Sequence, residues 1–284
     1  MKKYLASMAI LAVIAVSCSK ETDLRFVEEG MIDHNTTDLS EIPSEWLTKA
    51  RSDLHIAYGH TSHGSQVTDG MTGLVSFSGS EYAWNNGGTG GALDLHDYAM
   101  PGDLGNPNYT QWASETRNYL SVNPDVNVIM WSWCGQVSSA TEADINTYLS
   151  LMTRLEEDFP GVTFIYMTGH LDGTGVTGNL HRRNEQIRNY CMANHKFLYD
   201  FADIESYDPD GEYYTDKWAN DGCYYDDDSN GSLESNWAIR WQDSHTEGVD
   251  WYSCGAAHTQ PLNSNMKAYA AWHLWARVAG WDGK

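Results

Sequence analysis

Short apolar runs alternate with amphipathic stretches along most of this chain. Residues 54–58, 92–98, 126–133, 162–168 and 197–201 read as buried strands, and 67–75, 112–120, 145–159, 180–192 and 266–278 as helices. Within 145–159 the side chains of Ile145, Tyr148, Leu149, Met152, Leu155 and Phe159 share one face. Ser139-x-x-Glu142 supplies a capping box for that helix, and Pro160-Gly161 a stop. The run Val126-Asn127-Val128-Ile129-Met130-Trp131 is β-branched and apolar, as a strand covered on both faces must be. Strand and helix in strict alternation predict an α/β fold, a three-layer α/β/α sandwich with a central, mostly parallel sheet.

The rhythm fails in two places. Residues 18–44 are polar without a clear period and read as a tether, which leaves 45–284 as one domain. Residues 206–257 are acidic, aromatic and aperiodic, too long for a plain loop, and predict an ordered insertion. Its Asp208-Pro209-Asp210-Gly211-Glu212 lacks the spacing of a twelve-residue calcium loop. Cys223 and Cys254 bracket much of this segment and are the expected disulfide, while Cys134 and Cys191 sit in apolar patterns suited to free thiols.

Composition narrows the partners. With 17 Lys and Arg against 39 Asp and Glu, the net charge of −22 repels phosphate backbones, so nucleic acid is not an expected partner. At the start, Lys2 and Lys3 precede an apolar run from Leu5 to Val16, the proportions of a cleavable signal at 1–17 rather than a membrane span. Ala15-Val16-Ser17-Cys18 resembles the lipobox of bacterial lipoproteins, and Ser19-Lys20-Glu21-Thr22-Asp23 their acidic surface-export signals. The resemblance implies lipidation of Cys18 and display at the bacterial outer membrane or cell surface, with the membrane touched only through the anchor.

Chemistry concentrates where the first strand ends, in Tyr58-Gly59-His60-Thr61-Ser62-His63-Gly64-Ser65-Gln66. A serine between a strand's carboxyl end and the next helix gains backbone N–H donors for an oxyanion, which makes Ser62 a candidate nucleophile. The same position suits a helix cap, for which Ser62 and Ser65 both qualify. Near the other end, His258 lies on the loop before the last helix, in Cys254-Gly255-Ala256-Ala257-His258-Thr259-Gln260-Pro261.

Gly59-His60-Thr61-Ser62-His63-Gly64 with Asp69-Gly70, and His258-Thr259-Gln260-Pro261-Leu262-Asn263, resemble the first and last blocks of the SGNH (GDSL-type) hydrolase superfamily in its Gly-His-x-Ser-x-Gly variant. The resemblance spans roughly residues 54–281 and implies a flavodoxin-like fold. It implies Ser62 as nucleophile and His258 as its base. The oxyanion would be held by the Ser62 N–H, by Gly102 or Gly105, and by Gln136 in place of the family's asparagine. Gly255 stands where members carry the catalytic Asp, so Asp250, the nearest upstream carboxylate, becomes the candidate acid; a backbone carbonyl is the alternative.

His60, His63, His170 and Asp172 fall on the same rim and are expected to contact substrate. No two histidines take the His-x3-His spacing, so neither a metal nor a cofactor is expected. Twelve Trp and 17 Tyr in so acidic a chain point to a carbohydrate substrate, with Trp131, Trp133, Tyr213, Tyr214, Tyr224 and Tyr225 as candidate stacking surfaces. The resulting expectation is a secreted esterase that removes acyl groups from polysaccharides. A lyase or glycosidase on the same scaffold, a non-catalytic glycan-binding lipoprotein, and a lipid or peptide hydrolase remain as alternatives, and the oligomeric state stays open.

Overall fold

The computed structural model describes residues 30–284. Cys18 and the leader before it lie outside the described residues. Seven strands, β1 (Met31–Ile32), β2 (His55–Gly59), β3 (Trp84–Asn85), β4 (Leu93–His96), β5 (Val128–Trp131), β6 (Thr163–Met167) and β7 (Leu198–Tyr199), form one sheet ordered β1-β7-β6-β5-β2-β4-β3. Every pairing is parallel. Parallel pairing needs a crossover between neighbours, and the crossovers here cover both faces. Helices α1 (Ser44–Asp53), α2 (Ser65–Ser78) and α8 (Pro261–Val278) pack together on one side, while α3 (Gln111–Val122), α4 (Glu142–Asp158) and α5 (Asn179–Ala193) pack in series. This is the α/β/α sandwich that the alternation of strands and helices predicts.

All four side chains of β5 are buried, as its uninterrupted apolar run requires. From β2 the sheet grows one way through β4 to β3 and the other way through β5, β6 and β7. The order therefore reverses at β2, and in open α/β sheets such a switch point is where the loops at the carboxyl ends of the strands take up ligands. Ser62 lies on the loop after β2.

Three expectations need correction. The segment 18–44 is not all tether: Met31–Ile32 adds an edge strand to β7, Ile32 and Ile42 are buried, and the Asp38 carbonyl accepts a hydrogen bond from His273 of α8. Two-residue strands are too short to carry a period. The capping box of α4 is Thr141 with Asp144, two residues beyond Ser139 and Glu142. The insertion follows the short helix α6 (Phe201–Ile204) and is ordered, with a hairpin of β8 (Tyr224–Tyr225) and β9 (Ser235–Asn236) and the helix α7 (Trp237–Ser244), but among the described residues no disulfide holds it.

Cys223 Sγ instead faces Thr259 Oγ1 at 3.3 Å, and Cys254 Sγ lies 3.4 Å from Asn265 Nδ2. Bracketing a loop in sequence does not bring two Cβ atoms to bonding distance. Burial pushes each of these two thiols up to about 12.

Candidate active site

The loop after β2 turns tightly because two glycines permit it. A Cβ on Gly59 would enter the Trp131 ring at 2.5 Å, and one on Gly64 would lie 2.3 Å from His60 Cβ. Tyr58 Oη donates to the Gly64 carbonyl at 3.1 Å, closing the loop over the strand. Among the described residues, no acceptor takes the backbone N–H of Ser62 or of His63. Both are therefore available at the start of α2, where the helix dipole adds positive potential.

His258 meets this loop from the far end of the chain, its Nε2 2.9 Å from Ser62 Oγ. It sits at φ +67°, a left-handed conformation that a non-glycine residue holds only when its surroundings impose it. They do so on both sides. Gln66 Nε2 donates to the Ala257 carbonyl at 2.6 Å, and Asn263 Nδ2 to Thr259 Oγ1 at 2.7 Å. Gln66 is itself fixed by the fully buried Lys267, whose ammonium donates to Gln66 Oε1 and, at 2.7 Å, to Glu205. Glu205 also accepts the Leu171 N–H, so one buried network ties α2, α8 and the loops bearing His258 and His170.

The imidazole of His258 is stacked rather than hydrogen-bonded to an acid. His63 lies parallel to it, ring centroids 4.3 Å apart, and His170 stacks on the far face of His63 at 3.9 Å. His63 Nε2 is 3.0 Å from Asp221 Oδ2, and its Nδ1 is 3.0 Å from Cys134 Sγ. Burial pulls His63 below the ordinary histidine range, against the raising effect of its Asp221 hydrogen bond. Burial pushes Asp221 up, but its bond to His63 and the neighbouring positive charges outweigh this and hold it below the usual carboxylate value.

The remaining expectations divide. Asp250 accepts the Thr246 N–H at 2.8 Å and makes no hydrogen bond to His258; it caps its own turn. Gly102 and Gly105 supply the positive φ of the loop after β4, and the buried Asp103 between them reaches the Ser62 turn by accepting from Thr61 Oγ1 at 2.7 Å. Burial raises the Asp103 carboxyl despite that bond. Gln136 gives one amide hydrogen to Asp103 at 2.9 Å and accepts the Cys134 N–H, which leaves its second amide hydrogen without a partner among the described residues.

His60 does not reach substrate: it is 1% exposed, with Nε2 on Asp97 and Nδ1 on the Thr61 carbonyl. Asp172 caps its own turn through Thr174. Trp131, Trp133, Tyr214 and Tyr225 are core residues, and Trp133 donates to the Met167 carbonyl. Tyr213 is half-buried, its ring tilted against Tyr207 at 5.0 Å. Tyr224 is exposed, and with it two aromatics not foreseen, Tyr98 at 56% against His60 and Trp218 at 43%.

Sequence reasoning also missed Asp221, Asp103, Lys267 and Glu205. Only Lys267 left a sign, as a charge in the middle of α8 next to its Ala- and Trp-rich run. No family model, curated protein or solved structure matches the chain.

Proposed function

We propose that this chain is an SGNH-like serine esterase that removes acyl groups from polysaccharides. The observation that carries the reading is the 2.9 Å approach of His258 Nε2 to Ser62 Oγ, across 196 residues of sequence, beside unpaired backbone N–H groups at a helix start. This is the nucleophile and base relationship of acyl transfer. Ser62 Oγ attacks the ester carbonyl while His258 takes its proton. The Ser62 N–H and the free amide hydrogen of Gln136 face the oxyanion, and His258 returns the proton to the departing sugar hydroxyl. Water then repeats the sequence on the acyl-enzyme. The base works without a hydrogen-bonded acid; the His63 stack and the imposed backbone at 257–259 hold its ring in place.

Exposed aromatic faces support a sugar substrate. Tyr98 stands at the rim after β4, and Trp218 and Tyr224 flank Asp221 in the chain. Aromatic faces take up the apolar side of pyranose rings while leaving the hydroxyls wet.

The test is acyl release from 4-nitrophenyl acetate and from acetylated polysaccharides. Ser62→Ala and His258→Ala are each expected to lower turnover by on the order of 10³-fold or more, and the double variant little further, because members of one catalytic unit are non-additive. A serine-directed phosphonate should label Ser62. Full activity in Ser62→Ala, or cleavage of unacetylated glycan by either form, would overturn the reading.

A further inference from the structure

We propose that His63, His170 and Asp221 form a binding site for a zinc-class divalent cation next to the Ser62–His258 pair. One donor atom from each of the three lies within 4.8 Å of the other two. Two imidazole nitrogens and one carboxylate oxygen suit zinc, which binds such donors at about 2.0–2.2 Å and can hold a fourth position open for water or substrate.

The independent sign of a ligand is His170. Its Nδ1 faces the Leu171 carbonyl at 2.9 Å and must donate, since a carbonyl only accepts. In the neutral ring the lone pair then lies on Nε2. This Nε2 is buried and has no partner, on a residue only 9% exposed. A metal-bound histidine is oriented in this way, by a backbone carbonyl on its other nitrogen. Asp221 is carried to the same point by the insertion, whose backbone hydrogen-bonds to the His170 loop through Asp221 N and Leu171 O at 3.0 Å.

The other two acid and histidine clusters differ. In Asp33, His34 and Asp203 the imidazole is already hydrogen-bonded to Asp203, and Asp226, Asp228 and Glu234 include two exposed residues. Neither presents an unpartnered buried nitrogen.

The rings of His63 and His170 are parallel, and two parallel rings cannot both point their nitrogens at one ion. Binding therefore turns His63 out of the stack, because His170 is the ring pinned to backbone. In turning, His63 replaces its hydrogen bond to Asp221 with a shared cation and releases a proton if Nε2 carried one.

The experiment is a titration of zinc alone into the metal-stripped full chain, followed by calorimetry, elemental analysis and melting temperature. One zinc per chain, a raised melting temperature, and at least tenfold weaker binding in both His170→Ala and Asp221→Ala are expected. Should His170→Ala fail to fold, His170→Gln keeps a donor for the Leu171 carbonyl and is read in its place. Ser62→Ala should bind zinc as the unaltered chain does, so the site stands or falls separately from the esterase reading. Absence of stoichiometric zinc, or binding that survives both substitutions, overturns it.

Discussion

Lys267 and Glu205 are fully buried opposite charges whose neighbours are Gln66 Oε1, the Leu171 N–H and the face of Phe201. A pair so placed has satisfied partners, and the cost appears when one member goes. Lys267→Met is expected to lower unfolding stability by about 3–5 kcal/mol, because Glu205 is left as an uncompensated buried charge. Lys267→Met with Glu205→Gln should recover part of the loss, read from denaturant midpoints at constant slope. By contrast, Asp250→Asn should leave ester hydrolysis unchanged, since that carboxylate caps Thr246. Ser62 and His258 were legible at this scale because each sits in a short motif at a chain position where α/β folds place ligands. Asp250 was chosen by distance along the chain, and that says nothing about which carboxylate the insertion delivers. Asp221 was illegible for the same reason: the contact to His63 joins residues 158 apart.

At the scale of elements, long periodic segments were readable and two-residue strands were not. Helix α4 and strand β5 each carry enough apolar positions to declare their period, whereas β1 consists of Met31 and Ile32 alone. What fastens β1 is polar. The His34 N–H donates to Asp203 at 3.0 Å, and His34 Nδ1 lies 2.5 Å from the same carboxylate. Burial pulls His34 down, but the Asp203 hydrogen bond and the surrounding carboxylate charges outweigh it and raise its pKa above 6.5. Burial pushes Asp203 up, and the His34 hydrogen bonds with the His34 and Arg188 charges bring it below 3.8. A raised histidine stabilises fully below its unfolded value and loses that contribution as pH rises through the folded one. A depressed carboxyl stabilises above its unfolded value and loses that contribution as pH falls through the folded one. The pair therefore contributes most between 3.8 and 6.5 and progressively less at higher pH. Melting temperature should fall between about pH 6 and pH 8, and His34→Gln should flatten that decline.

For the molecule as a whole, the described cysteines are all free. A reductant should therefore leave the melting temperature unchanged, whereas loss of a native disulfide typically costs about 2–5 kcal/mol. Non-reducing peptide maps should show no link between Cys223 and Cys254. The sandwich was legible as a whole because strand and helix alternation is a property of the entire chain, while the position of β2 at the reversal of strand order depends on pairings that no local pattern encodes. That position has one more consequence. The loop after β2 is made early in synthesis, and its partner His258 arrives only with α8, the last helix. On the proposed reading, a growing chain carries its nucleophile without its base until the final segment docks across Gln66 and Lys267. The proposed turnover would then report on completion: a truncation that removes α8 should abolish release of acetate from 4-nitrophenyl acetate even if the sheet has already formed.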